Sequence, residues 1–316
     1  MSQRALISAL VVHWGDVAPL RRLLASWPDD PRFELVVVLN QAVDAAQERI
    51  AWPERTVVVE PGGNLGFAAG VNAALRQATA PAVLLLNPDA RPLGDALDQL
   101  ATALPNYPDA AGLVPSLVSP DGSTQHRWQL QPLPTTFDLL LQVFFLAGRR
   151  GPTEPPASGT EIEQPAAAAL LLRRSILEQL GGLDAGFFPA WFEDVDLARR
   201  LRDRGERLIY LREARFEHEM GSSVSSLGYG LFLWIYLRHL ARYLRKHHGL
   251  FWSRLARILV PVSCCLRILA LPVRSPRRAR NRFDAATGLV RVAIGAVSGW
   301  RWPVSWARRF RDASTR

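Results

Sequence analysis

Four stretches in the first ninety residues are apolar with little polar alternation: Ala5–Val12, Glu34–Leu39, Thr56–Glu60 and Ala82–Leu86. Runs of this kind read as strands buried on both faces, the condition of a parallel sheet covered by helices. Between them, Val17–Trp27, Ala42–Ala51 and Phe67–Ala78 space their apolar residues by three and four positions, which predicts helices. The βαβα order predicts an α/β, Rossmann-like half.

Regularity falls away over residues 105–165. "PNYPDAAGLVP" and "RRGPTEPPASGTE" read as loops around a short apolar run, Phe137–Ala147. An α/β pattern resumes with "AAAALLLRR" (166–174), a helix through Leu180 and the turn Gly181–Gly182. An acidic helix then begins near Glu193, and the strand-like "ERLIYLREARFEH" follows. From Gly228 onward the chain becomes long helical segments rich in Leu, Trp and Arg. The expected division is a domain over 1–225, with halves 1–104 and 105–225, and a basic amphipathic helical region over 226–316.

Charge sharpens that division. The chain has 316 residues and a formal charge of +9, but from Arg238 onward 18 Lys or Arg face two acids, a net of +16 that leaves −7 on residues 1–237. A basic tail on an acidic body predicts an anionic partner, either nucleic acid or an anionic membrane face. No recognition motif for nucleic acid accompanies the charge. Within residues 229–273 the longest uncharged runs, Tyr229–Leu237 and Ile258–Leu266, are nine residues each, well short of the roughly twenty of a spanning helix. An Arg-rich segment with Trp234 and Trp252 suits a helix lying in a membrane interface, with packing on the catalytic body or on a second copy as the alternative. Adjacent Cys264 and Cys265 read as a reduced apolar pair of a cytosolic protein. "RALISALVVHW" reads as a first strand, not a signal peptide.

Ligands of open parallel sheets bind beyond the carboxyl ends of the strands, and three such ends carry polar residues. The second strand ends at Asn40. The third leads into "PGGNLGFAAGVN" (61–72), whose glycines, with Asn64, Gly66 and Asn72, suit close backbone approach to phosphate or a simple turn. The fourth, wholly apolar, ends in Asn87-Pro88-Asp89, a β-turn with a helix cap or a single-carboxylate metal site. His218, between Glu217 and Glu219, reads as a surface imidazole or a ligand. In "AWFEDVDLARRL" (190–201), Asp196 precedes Arg199 and Arg200 by three and four residues, which explains it as an intrahelical ion pair. The helix dipole accommodates one of Glu193 and Asp194 in the first turn; two consecutive acids behind "FFPAWF" ask for more.

Six elements in series, "ALISALVVHW", "NLGFAAGVN", "LLLNPDA", "GLVPSLVSPDGS", "LLLRRSILEQLGGLDAGFFPAWFEDVDLARRLRDRG" and "HEMGSS", resemble those of the family 2 glycosyltransferases, especially bacterial rhamnosyltransferase-like members, over roughly residues 5–223. The resemblance implies a GT-A fold and inverting transfer of a sugar from a nucleotide donor, dTDP-L-rhamnose first and a UDP-hexose second. It implies that Asp89 holds Mg²⁺ or Mn²⁺, that His218 assists the metal or the diphosphate, and that Asp194 is the catalytic base with Glu193 beside it. Asn40, Asn64, Gly66, Asn72 and Asn87 fall on the donor side. It also implies a bacterial surface-glycan or lipid-linked acceptor, which a place on the inner face of the cytoplasmic membrane would suit; a homodimer is the partner that the alternative reading of the tail allows.

Three positions depart from the family pattern. The second strand ends Leu39-Asn40 where Asp-Asn is common, the first ends His13-Trp14-Gly15, and Ala167 replaces a frequent glycine. A non-catalytic scaffold of the same fold is the competing reading, supported by the missing Asp. A Rossmann dehydrogenase fits poorly, because the glycine loop follows the third strand and not the first.

Overall fold

The computed structural model describes residues 5–41, 43, 50–148, 150–219, 227–273, 276 and 278–301. Its elements run β1 (Ile7–His13), α1 (Ala18–Ser26), β2 (Phe33–Leu39), β3 (Thr56–Val59), α2 (Phe67–Leu75), β4 (Ala82–Leu86), β5 (Ala90–Pro92) and α3 (Ala96–Ala103). They continue with β6 (Ala110–Val118), α4 (His126–Gln129), β7 (Leu130–Gln131), α5 (Thr136–Val143), β8 (Gln164–Pro165), β9 (Ala169–Arg173), α6 (Arg174–Gln179), α7 (Glu193–Arg202) and β10 (Arg207–His218). Three long helices close the described chain: α8 (Tyr229–His247), α9 (Leu250–Ala270) and α10 (Arg282–Ser298). Of the expected helix Ala42–Ala51, residues 42 and 44–49 lie outside the described residues, as do 220–223 of "HEMGSS".

Among the described residues the main sheet has eight strands in the order β3-β2-β1-β4-β9-β6-β10-β5. β3, β2, β1 and β4 are mutually parallel, as the apolar runs predicted. β9 differs, running antiparallel to both β4 and β6, and β5 runs antiparallel to β10. Nothing in the hydrophobic pattern announces that reversal: Ala169–Leu172 are buried on both faces, whichever way the strand points.

Two apolar layers sandwich the sheet, one beneath α1 and α3 and one beneath α2, α6 and α7. The acid inside β2 is paid for by hydrogen bonds: Ser8 Oγ donates to Glu34, as do Thr79 N at 2.7 Å and Thr79 Oγ1 at 2.8 Å. Burial pushes Glu34 up, but these donors outweigh it and leave the carboxyl below its ordinary value.

The third core belongs to the C-terminal helices. Leu233, Trp234, Ile235, Leu240 and Tyr243 of α8 are enclosed between α9, α10, α5 and the aromatic segment that carries Phe187 and Phe192. A Cβ on Gly230 would lie 2.5 Å from Gly288 Cα, so α8 and α10 cross in backbone contact. The basic helical region is therefore two things. α8 is built into the body, while α9 and α10 keep an outer face. No helix among the described residues is long and apolar enough to cross a membrane.

Candidate active site

The strand ends that looked promising in sequence come level. Val11 pairs with Leu86 and His13 with Leu39, so Asn40 and the Asn87-Pro88-Asp89 turn emerge at the same end of the sheet, on either side of β1. They border a cavity of about 550 Å³, within the usual range of small-molecule sites. Asn64, Gly66 and Asn87 line it with them, and Glu193 and Asp194 close another side.

The glycine loop is held from beneath. Asn40 Nδ2 donates to Gly66 O at 3.1 Å, its Oδ1 accepts from Leu65 N at 3.2 Å, and Asn64 Oδ1 accepts from Gly66 N at 2.8 Å. Gly66 has φ 78°, and a Cβ there would meet Phe188 Cδ2 at 2.8 Å and Pro189 O at 3.0 Å, so only glycine fits.

Register explains how Asp89 meets His218. The antiparallel pairing of β10 with β5 sets His218 opposite Ala90, one residue beyond Asp89. Both side chains are buried, and His218 Nε2 lies 3.6 Å from Asp89 Oδ1. Of the two readings of His218, the surface imidazole is thus excluded. Gln125 fixes the ring: its Nε2 donates to His218 O at 2.7 Å, which leaves its Oε1 to accept from His218 Nδ1 at 2.9 Å. The proton sits on Nδ1, and the Nε2 lone pair faces the carboxylate. Burial lowers the His218 pKa against the pull of Asp89 and Glu219, which favours the neutral ring. Trp128 stacks on the imidazole, centroids 5.4 Å apart. Two electron-rich atoms turned toward one another are a donor pair that could hold a divalent cation. Among the described residues no group of three or more His, Cys, Asp or Glu converges as a metal cage, and a cation that also binds phosphate and water needs only one or two protein carboxylates.

The opposite side is built on strain. Trp191 and Phe192 both adopt left-handed backbone, φ 75° and 74°, immediately before α7. Such a conformation costs on the order of 1–3 kcal/mol per non-glycine residue and persists only where neighbours impose it. One of those neighbours is α8. His239, fully buried, donates its Nδ1 proton to Ala190 O at 2.9 Å and Trp191 O at 3.1 Å, and Phe187 packs edge-on to its ring. Burial and the Arg238 charge push His239 down to about 3, so this brace is neutral.

The three acids now separate. Burial, then the charge of Asp194, pushes the Glu193 carboxyl up to about 8, and its Oε2 has no hydrogen-bond partner among the described residues. Burial also raises Asp194, while the Val195 and Ala167 N–H groups restrain the rise. Two adjacent acids in one apolar wall cannot both ionise easily, which keeps a proton on the pair. Asp196 requires a correction. Arg199 pairs with Asp203, whereas Asp196 is fully buried at the α7–α8 contact, bonded to Arg200 at 2.8 Å, Lys246 at 2.6 Å and His247 at 2.7 Å. Intrahelical pairing accounts for one of those three bonds.

Asn72 is also corrected. It does not line the cavity: its Nδ2 donates to Leu183 O and its Oδ1 accepts from Leu183 N, both at 2.8 Å, bracing α2 against the turn before the acidic helix. Sequence reasoning missed Gln125, Trp128, Phe232, His239 and Arg278. Arg278 lines the cavity from the α9–α10 connection with its guanidinium 4.4 Å over the Phe232 ring. An aromatic-rich helix beginning at residue 229 was the one available signal for Phe232.

The family profile described as "Glycosyltransferase like family 2" matches residues 4–244, three quarters of the chain. The chain belongs to that family. This glycosyltransferase is 28% identical over 242 residues to the N-acetylglucosaminyl-diphospho-decaprenol L-rhamnosyltransferase of Mycobacterium tuberculosis, covering 70% of this chain and 77% of that protein. It is 26% identical over 203 residues to the O-antigen biosynthesis protein RfbC of Myxococcus xanthus, covering 61% of this chain but 14% of that longer protein. Among solved structures, the mannosyltransferase PcManGT of Pyrobaculum calidifontis, in complex with GDP-Man and Mn²⁺, superposes with TM-score 0.52 at 18% identity over 95% of this glycosyltransferase and 88% of that chain. GalNAc-T7 with UDP, GalNAc and Mn²⁺ superposes with TM-score 0.57 at 13% identity, covering 96% and 59%. The fold is GT-A.

Proposed function

We propose that the chain transfers a sugar, with inversion, from a nucleotide-sugar donor to a hydroxyl of a lipid-linked or surface glycan acceptor. The observation that carries this reading is one cavity shared by the Asp89–His218 pair, the glycine loop and the Glu193–Asp194 pair. Asp194 acts as general base: it takes the proton of the acceptor hydroxyl as that oxygen bonds the anomeric carbon. The bond from that carbon to phosphate breaks, and the nucleoside diphosphate leaves with the electron pair. Burial suits Asp194 to the task, because a raised carboxyl binds a proton better than an exposed one. Glu193 stays protonated beside it, so the wall does not carry two full charges. Trp191 and Phe232 offer aromatic faces to a sugar.

Asp89 and His218 would hold Mg²⁺ or Mn²⁺. A cation there supplies neutralisation of charge on the departing diphosphate. The sugar transferred is L-rhamnose, by the activity named for the mycobacterial relative, with dTDP as its carrier by the family resemblance alone and a UDP-hexose donor as the second reading. The acceptor is a sugar on a lipid diphosphate, again by that relative, and the basic tail supports a peripheral place on the inner face of the cytoplasmic membrane. The domain division proposed at 225/226 lies outside the described residues, between β10 and α8.

Turnover of dTDP-L-rhamnose and UDP-hexoses with Mn²⁺, with EDTA, and in Asp194→Asn and Asp89→Ala tests this reading. Metal-dependent transfer lost in both variants is expected; full transfer by either variant overturns the role given to that residue.

A further inference from the structure

α9 packs inward with Ser253, Ala256, Val260, Ser263 and Cys264. Its opposite face carries Phe251, Ile258, Val262, Leu266 and Leu269, with Val273 just beyond its end, at successive spacings of seven, four, four, three and four. Leu269 is 76% exposed and Val273 92%. α10 repeats the arrangement with Phe283, Val290, Ile294 and Val297, of which Phe283 is 82% exposed. The two helices lie against each other, and Arg257 Nε donates to Ala296 O at 2.8 Å across their contact. Single exposed apolar side chains are ordinary, but ten aligned in two neighbouring stripes mark a surface that meets something apolar.

The charges around the stripes identify the occupant. Arg254 on α9 and Arg282 and Arg291 on α10 are exposed and accompany the apolar rows, whereas Arg257 and Arg267 turn into the protein, Arg257 onto Ala296 O and Arg267 onto Phe144 O and the Tyr229 hydroxyl. Asp284 is the only acid of either helix, and its carboxylate accepts from the Arg280 N–H at 3.2 Å at the start of α10. A second copy seated on this face would set arginine against arginine, because a two-fold contact repeats the same patch on both sides. An anionic bilayer answers both features, taking the apolar rows among its acyl chains and the guanidinium groups among its headgroups.

We propose that the outer faces of α9 and α10 together form a monotopic docking surface for an anionic lipid bilayer. The connection between the two helices carries Arg278 to the cavity wall, so docking brings the cavity mouth beside the headgroups. That orientation rests on the reading of a lipid-linked acceptor; the docking does not.

Flotation of the full chain with vesicles of phosphatidylglycerol and phosphatidylcholine, compared with phosphatidylcholine alone, tests the proposal. The comparison protein is the triple variant Leu266→Glu, Leu269→Glu, Ile294→Glu. All three positions are exposed, so far-UV circular dichroism and the melting temperature should match the unaltered chain. The unaltered chain should float with the anionic vesicles and the variant roughly tenfold less or worse. Equal flotation of the two proteins overturns the proposal. So does a dimer in light scattering that the variant converts to monomer without change in lipid binding. Thermal shift by dTDP or UDP with Mn²⁺ reads the transferase function separately. Absence of that shift in both proteins, with lipid binding lost only in the variant, supports docking and overturns the transferase reading.

Discussion

The two sides of the candidate site are held by different means. Asp89 and His218 stand on strand ends whose register is fixed by a continuous sheet, and a single glutamine sets the imidazole tautomer. Glu193 and Asp194 stand behind two left-handed aromatic residues, held in place by a histidine from a helix about fifty residues further along the chain. One side is positioned by the sheet itself. The other is positioned by long-range packing, so its geometry is more easily lost without unfolding the protein.

The sharpest test of the contrast is at the acid itself. Asp194→Asn should lower kcat by about 10²–10⁴-fold with donor KM little changed, as expected for loss of a general base. A small loss in steady-state assays would remove Asp194 from the chemistry. His239→Ala comes next: release of the Ala190–Trp191 turn should cost roughly 10–100-fold in kcat through misplacement of the acids, with donor affinity nearly intact. Gln125→Leu is its counterpart on the strand side. It should raise the Mn²⁺ concentration for half-maximal turnover by about 10–100-fold while leaving kcat at saturating metal close to that of the parent. If His239→Ala changed the metal requirement and Gln125→Leu changed kcat alone, the two sides would not be independent.

Smaller effects appear in stability against pH. Glu193 keeps its proton to about pH 8 in the folded chain, whereas an ordinary glutamate releases it near 4.5. The native state therefore binds more protons over that window. Stability is fully present below 4.5 and is lost as pH rises through 8. Glu193→Gln removes the slope, so its melting temperature should gain on the parent between pH 5 and 8.5, by the equivalent of a few kcal/mol. Equal slopes would mean that Glu193 is ionised. Asp184 has the opposite sign. Burial raises it, but Lys246, the Gly186 N–H and Arg242 hold it down to about 2. Stability from this link between α8 and the segment before α7 should be lost as pH falls from about 4 toward 2, on the order of 1 kcal/mol. Asp184→Asn should flatten that part of the acid titration.

Much of the strand side was legible in sequence because short-range rules place it. Apolar runs gave β1, β2, β3 and β4 nearly to the residue, and a carboxylate ending a wholly apolar run drew attention to Asp89. Asp194 stood out because two acids followed an aromatic wall. What could not be read was everything set by distant pairing. The direction of β9 leaves no mark in a strand buried on both faces. Asn72 looked like a loop ligand until Leu183, 111 positions away, took both ends of its amide. Asp196 satisfied a local rule with Arg200, and the local rule concealed Lys246 and His247. His239 carried no signal, since a histidine inside an amphipathic helix has many uses.

The contact between Gly66 and the Phe188–Pro189 segment bears on how such a protein could be re-engineered or drift. Phe67 N donates to Pro189 O at 2.7 Å, and no side chain fits at position 66 while Phe188 stays where it is. The loop after the third strand and the segment before the acidic helix are thus one inheritable unit written in two places. A chimera that exchanges residues 61–67 to alter the sugar it accepts would have to import residues 187–192 from the same parent.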